Sequence, residues 1–243
     1  MRRRGFLISL ALLVGGVTVA KAKVIWGGMP WTHRGATGPT PVAADGWKFF
    51  NADEAAMIEA IADRLIPADD LSIGGREAGC AVFIDSQLAG PFGRAATQFR
   101  LGPFQDGTPQ QGAQFHQTPA QRYRTGLAAL DKYCAARPGG KRFTALSGAQ
   151  QDDLLRQLEK GEITLPGLPD TKAFFGLILG NVREGFFADP IYGGNKDMAG
   201  WKMLGFPGAR YDYREEIGKR GQKLDIQPVS LIRNAGKPGQ KAV

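Results

Sequence analysis

The sequence predicts a mainly α-helical protein, an irregular bundle of about five helices with long Gly/Pro-rich loops, preceded by a signal peptide. Three observations support this. Apolar residues recur at three- and four-residue spacing, and recognisable cap residues bound those segments. No hairpin dipeptide joins two alternating apolar segments. No repeat of fixed period is present either, so neither a sheet nor a repeat array is expected.

The N-terminal residues 1–22 have the order of an export signal: basic residues, an uncharged apolar segment, then a small-x-small cleavage site at Ala20-Lys21-Ala22. As a helix, the segment from Gly5 to Ala20 spans roughly 24 Å, less than the roughly 30 Å hydrocarbon core of a bilayer. A cleaved signal is therefore favoured over a permanent anchor. A short uncleaved anchor is the alternative, because a bilayer thins locally around it.

Within this signal, Arg3, Arg4, Phe6 and Leu7 fit the twin-arginine pattern. The twin-arginine translocase carries proteins that have already folded. We therefore expect this chain to reach the periplasm in a folded state.

The charge of the chain is concentrated at its two ends. The net charge is +8, with four basic and no acidic residues in 1–22 and seven basic and three acidic residues in 214–243. The residues between carry equal numbers of each sign, so nucleic-acid binding, which needs clustered cations, is not expected. We divide the mature chain into an extended linker (23–46), a helical domain (47–213) and a basic C-terminal tail (214–243). The tail is either solvated or in contact with an anionic lipid surface.

The first two helices follow the linker. Asn51 is the predicted cap of the first helix, Glu54 completes a capping box, and Pro67 ends it. The second helix is predicted from Arg76 to Leu88, with apolar residues on one side.

The remaining helices have equally clear starts. Capping boxes are predicted at Thr118 with Gln121 and at Ser147 with Gln150. A fifth helix from about Thr171 to Phe187 is apolar around most of its circumference, which is typical of a central helix.

Two loops are candidates for function. Residues 91–117 have no clean period, and a loop of this length in a compact domain is usually functional. Residues 183–213 hold six glycines, two prolines and seven aromatics, so this segment either folds back on the bundle or faces a partner. The candidate partner interface comprises Phe186, Phe187, Asp189, Pro190, Tyr192, Gly193, Gly194, Asn195 and Trp201.

The sequence lacks the motifs of cofactor and metal chemistry. It contains no GxGxxG, GxxxxGK[ST], GxSxG, HExxH or CxxCH. Cys80 and Cys134 form either a disulfide or two buried thiols. His33 and His116 are too few for a zinc site. We therefore expect no catalytic residue, cofactor or metal in this chain.

Five stretches resemble the subunit 3 family of membrane-bound gluconate 2-dehydrogenases, the small subunits of sugar and sugar-acid dehydrogenases. They are EAAMIEAIADRLIPADD (54–70), EAGCAVFIDSQLAGPFG (77–93), LGPFQDGTPQQGAQF (101–115), TPAQRYRTGLAALDKYC (118–134) and EGFFADPIYGGNKDMAGWKMLGFPG (184–208). The last is long and rich in aromatics and glycines, and is the most specific of them.

This resemblance implies a periplasmic complex at the inner membrane, in which an FAD-binding large subunit oxidises the sugar or sugar acid and a cytochrome c subunit carries haem c. The chain is then a non-catalytic small subunit whose signal takes the folded flavoprotein across the membrane. Two alternatives stay open. One is an independent exported small-molecule-binding protein or enzyme with a site in the 91–117 loop. The other is a structural protein tethered by its N-terminus.

Overall fold

The computed structural model describes residues 40–43, 45–99, 103, 105, 107–111, 116–168, 170–210 and 213–232. The predicted signal peptide with its Arg3, Arg4, Phe6 and Leu7, most of the predicted linker and the end of the basic tail lie outside these residues.

The predicted mainly α class is confirmed: within the described residues there are six α-helices and no β-strand. The helices are α1 (Ala52–Leu65), α2 (Cys80–Ala89), α3 (Pro119–Ala135), α4 (Gly148–Lys160), α5 (Thr171–Phe187) and α6 (Ala199–Leu204). Short 3₁₀ turns occur at Pro109–Gln111, Phe143–Ala145, Pro190–Tyr192, Lys196–Met198 and Arg214–Glu216.

The helix starts follow the cap residues. The capping boxes predicted at Asn51, Thr118 and Ser147 are all present, each with its reciprocal hydrogen bond. Helix α5 starts at the predicted residue, where Asp170 accepts a hydrogen bond from the N–H of Ala173 at 2.8 Å. Each cap satisfies amides that the first helical turn leaves without partners, so these ends are determined locally.

The predicted start of the second helix is wrong. Helix α2 begins at Cys80 rather than at Arg76. Gly79 has a left-handed backbone with φ of 80°, so residues 76–79 form a turn that is not continuous with the helix. A Cβ atom on Gly79 would lie 2.7 Å from the carbonyl oxygen of Gly193. The distant loop that contains Gly193 therefore requires a glycine here, and this glycine sets the start of α2.

Helix α5 lies at the centre of the domain and contacts each of the other five helices. Phe174, Ile178, Val182 and Phe186 on α5 are buried in the core. Gly126 on α3 permits the closest approach, because a Cβ atom there would lie 2.2 Å from the Phe174 ring. The predicted central position of this helix is confirmed.

Polar contacts fix the helices relative to one another. Arg64 on α1 forms a bidentate ion pair with Asp152 on α4, at 2.7 and 2.8 Å, and its guanidinium lowers the pKa of Asp152. The buried Tyr123 hydroxyl donates to Asn181 at 3.0 Å. The buried Asp85 carboxylate accepts three backbone hydrogen bonds from residues 48–50, which attaches the start of α1 to α2.

The two described ends of the chain attach to the same loop after α5. The Val42 N–H donates to the Ile191 carbonyl at 2.9 Å. The Asp189 carboxylate accepts from the Ser230 hydroxyl at 2.7 Å and the Leu231 N–H at 2.8 Å. This part of the predicted tail is therefore held on the domain.

Candidate functional site

The loop between α5 and α6, residues 188–198, is named the α5–α6 turn. Asn195, Asp197 and Met198 have φ of 48°, 55° and 58° there, and among the described non-glycine residues only Ala95 shares this left-handed backbone. Such conformations cost free energy and persist where the surrounding structure holds them in place. The turn is thus a tightly specified piece of backbone.

Hydrogen bonds hold the α5–α6 turn against the bundle. The Asn195 side chain is fully buried; its Nδ2 donates to the Ala188 carbonyl at 2.8 Å, and its Oδ1 accepts from the Gly200 N–H at 2.9 Å. On α6, the Trp201 indole N–H donates to the Phe187 carbonyl at 2.7 Å. These bonds satisfy buried backbone groups that would otherwise destabilise a compact turn.

Glycines bring the two backbones into direct contact. A Cβ atom on Gly194 would lie 2.1 Å from the carbonyl oxygen of Gly185 on α5, and one on Gly200 would lie 2.4 Å from that of Phe186. No side chain fits at either place. Packing therefore explains why Gly194 and Gly200 are glycines.

The structure brings the nine predicted interface residues together but turns most of them inward. Phe186, Asp189, Gly194, Asn195 and Trp201 are buried, and Phe187, Pro190 and Gly193 are half-buried. Of the nine, Tyr192 alone is exposed, with 45% of its surface accessible. Of the two arrangements that the sequence allows, the loop folds back on the bundle and leaves one aromatic side chain at the surface.

Tyr192 lies at the edge of an open cavity of about 420 Å³, named the Tyr192 cavity. Its lining is mainly apolar and comprises Phe83, Gln87, Glu184, Phe187, Ala188 and Tyr192. Such a concave apolar surface can receive a side chain of another protein, with Gln87 and Glu184 as polar neighbours.

Sequence reasoning missed four members of this surface, namely Phe83, Gln87, Glu184 and Ala188. Phe83 and Gln87 are four residues apart on α2, and Glu184 and Phe187 are three apart on α5. These spacings place each pair on one helix face, so that signal was present. The sequence did not indicate that the two faces meet.

The described residues also line two further concave surfaces. A groove of about 670 Å³ lies between α6 and residues 223–228 and is named the C-terminal groove. A smaller cleft of about 180 Å³ lies near the start of α1, where Arg142 forms ion pairs with Asp53 at 2.7 Å and Asp131 at 3.4 Å. These pairs account for the raised pKa of Arg142.

Both cysteines are buried, free thiols, which is one of the two states that the sequence allows. Burial raises the pKa of Cys80 to about 12 and that of Cys134 to about 11. Both thiols therefore stay protonated near neutral pH, which is unsuited to a nucleophile or a metal ligand.

The described residues form no cluster of three or more His, Cys, Asp or Glu side chains able to hold a metal ion. Within that same part of the chain, no helix has both the length and the hydropathy that crossing a bilayer requires. The alternative site at 91–117 includes undescribed residues, among them 100–102 and 112–115, and stays a hypothesis.

Comparison with known proteins gives one match. The family model described as gluconate 2-dehydrogenase subunit 3 matches residues 52–208, from the first residue of α1 to just beyond α6. No curated protein and no solved structure matches the chain.

Proposed function

This chain belongs to the gluconate 2-dehydrogenase subunit 3 family and is thus a subunit of such a complex, and we propose that it is the non-catalytic small subunit, needed for export, maturation and assembly of the flavoprotein. The observation that carries the proposal is the family match over residues 52–208, which takes in the whole helical bundle and the α5–α6 turn. The complex is proposed to be periplasmic and attached to the inner membrane.

The proposed division of labour places the redox groups in other subunits. An FAD-binding large subunit oxidises a sugar or sugar acid, and a cytochrome c subunit with haem c receives the electrons. The present sequence supports this division, because it has neither a GxGxxG dinucleotide motif nor a CxxCH haem-attachment motif. Substrate recognition then belongs to the flavoprotein.

The proposed contact with the flavoprotein is the Tyr192 cavity. An exposed tyrosine beside an apolar depression has the character of an interface anchor, because its ring buries a large area and its hydroxyl keeps a hydrogen bond. The surrounding α5–α6 turn is rigidly held, so little ordering is needed when a partner binds. The other predicted interface residues act by shaping this surface.

Tyr192→Ala tests this contact. Loss of an interface anchor costs about 2 kcal/mol, roughly thirtyfold in affinity, so less flavoprotein should co-purify with the tagged variant. Unfolding should be nearly unchanged, because the side chain is half exposed. Leu71→Ala is the matched control, since Leu71 is 74% exposed on a different loop. Equal flavoprotein yield from both variants would place the contact elsewhere.

The export role is tested in the signal. Arg3→Lys combined with Arg4→Lys should leave both this chain and the flavoprotein in the cytoplasm, because the flavoprotein is proposed to cross only when bound to this signal. Immunoblots of cytoplasmic and periplasmic fractions measure both. Flavoprotein in the periplasm of the double variant would contradict the escort role.

The subunit assignment itself is tested by purifying the tagged chain from membranes and recording its visible spectrum. Flavin and haem bands that elute together with this chain are expected. A colourless monomer would contradict the proposal and favour an independent binding protein.

A further inference from the structure

The C-terminal segment, residues 204–232, exposes an unusual number of large apolar side chains. Ten such side chains are exposed among the described residues, and six of them belong to this segment. The six are Leu204, Phe206, Tyr213, Ile217, Leu224 and Leu231. Ile217 and Leu204 are 68% and 63% exposed. A concentration of exposed apolar side chains in one segment is typical of an interaction site.

Three of these side chains meet in the C-terminal groove. Leu204, Phe206 and Leu224 line it, together with the ammonium groups of Lys202 and Lys223 and one carboxylate, that of Asp225. Apolar groups and ammonium groups therefore share one concave surface of about 670 Å³.

Other cations of the C-terminal part of the sequence add to those in the groove. Lys219, Arg220 and Lys223 are exposed, and no ion pair to them is present among the described residues. Beyond Ile232 the sequence continues with Arg233, Lys237 and Lys241 and has no acidic residue. The charge of this end of the chain is complementary to an anionic surface.

The C-terminal segment is held on the domain. Val229 pairs with Gly208 in a parallel bridge, and Arg210 forms an ion pair with Glu216 at 2.9 Å. With the bonds from Ser230 and Leu231 to Asp189, these contacts fix both ends of the segment. The exposed side chains are thus presented by folded structure, which lowers the entropy cost of binding.

We propose that the C-terminal segment binds an anionic lipid surface. Ile217 and Leu224 enter the headgroup region, and Lys219, Arg220 and Lys223 contact lipid phosphates. This goes beyond the proposed function, in which the complex as a whole is membrane-associated: here the small subunit makes a membrane contact of its own.

The composition of the C-terminal segment favours lipid over a protein partner. Protein interfaces are depleted in lysine at their centres. Surfaces that bind membranes combine Lys and Arg with exposed apolar side chains, and each cation near an anionic leaflet adds to the attraction. Lys202 and Lys223 line the groove itself, beside Leu204 and Leu224.

The test uses the full exported chain, produced without the other subunits, and vesicles of phosphatidylcholine alone or mixed with phosphatidylglycerol. Co-sedimentation should show binding to the anionic vesicles, weakened by added salt, and little binding to the neutral ones. Absence of binding to the anionic vesicles, or equal binding to both kinds, would overturn the proposal.

Two variants locate the contact. Replacing Lys219, Arg220 and Lys223 by Gln should weaken binding roughly a hundredfold, because each cation near the surface contributes about fivefold. Ile217→Ser with Leu224→Ser should weaken it at least tenfold through lost apolar burial.

Matched controls keep the result specific. Lys132, Lys141 and Lys172, each exposed elsewhere on the domain, are replaced by Gln to remove the same charge, and binding should fall less than threefold. Circular dichroism confirms that each variant is folded. If the Lys219, Arg220 and Lys223 variant keeps vesicle binding but no longer co-purifies with flavoprotein, the surface is a protein interface and the lipid proposal is wrong. The subunit assignment is judged separately, by the spectrum of the purified complex.

Discussion

The α5–α6 turn and the C-terminal segment both contain glycines and large apolar side chains, but they arrange the apolar side chains in opposite ways. The turn together with α6 buries Asn195 and Trp201, whereas the C-terminal segment exposes Phe206 and Ile217. The two regions differ in the hydrogen bonds that their side chains make to buried backbone groups. In the turn, buried side chains satisfy specific backbone groups of α5 and α6, and this allows the apolar groups to pack. Aromatic content predicts a large apolar surface, and hydrogen-bond partners decide whether that surface turns inward.

Among substitutions that distinguish the two regions, Gly194→Ala should lower the free energy of unfolding the most. Its Cβ atom would lie 2.1 Å from the Gly185 carbonyl oxygen, a backbone atom that α5 cannot move. We expect a loss of at least about 3 kcal/mol in the free energy of unfolding, measured by urea denaturation. Gly218→Ala in the C-terminal segment is the control, because a Cβ atom there meets nothing within 4 Å. Similar losses in both variants would show that the segments are equally packed.

Asn195 tests whether hydrogen bonds hold the turn. Asn195→Ala leaves the Ala188 carbonyl and the Gly200 N–H without their partner and keeps φ of 48° at a residue that tolerates the left-handed backbone less well than asparagine does. A loss of about 2–3 kcal/mol is expected in the same measurement.

Asn195→Gly separates the two contributions. Glycine removes the hydrogen bonds but adopts the left-handed backbone easily, so it should be roughly 1 kcal/mol less damaging than alanine. If the glycine variant were as stable as the parent protein, the hydrogen bonds of the Asn195 side chain would not be what holds the turn.

The smallest effect concerns Trp201 and Phe206, whose rings contact edge to face at 5.4 Å across the boundary between the two regions. Trp201→Phe removes the donor to the Phe187 carbonyl and should cost about 1–2 kcal/mol in thermal unfolding. Phe206→Leu should cost less than about 0.5 kcal/mol, because nearly half of the Phe206 surface, 46%, is exposed and leucine keeps part of the apolar contact. The reverse order would show that burial does not distinguish these rings.

The candidate site was only partly predictable. The sequence located it within residues 183–213, and Tyr192 was among the predicted residues. Phe83 and Gln87, which complete the Tyr192 cavity, lie about a hundred residues earlier in the chain. Only the packing of α2 against α5 brings them there.

By itself the sequence determined those helices whose first backbone groups find hydrogen-bond partners within the same helical turn. Asn51, Thr118 and Ser147 each find their hydrogen-bond partners three residues away, and the apolar circumference of α5 requires a central position. These features depend on spacing within one or two helical turns, which the sequence displays directly.

Tertiary structure alone decided the rest. Helix α2 begins at Cys80 because the carbonyl of Gly193 approaches Gly79. Helix α6 has no side-chain cap of its own, and its Gly200 amide is bound by Asn195 from the preceding turn. The inward fold of the aromatic residues depends likewise on contacts between α5, the α5–α6 turn and α2. The physical reason is that a backbone group is satisfied by whichever partner packing brings near, and for these residues that partner lies beyond the reach of local spacing.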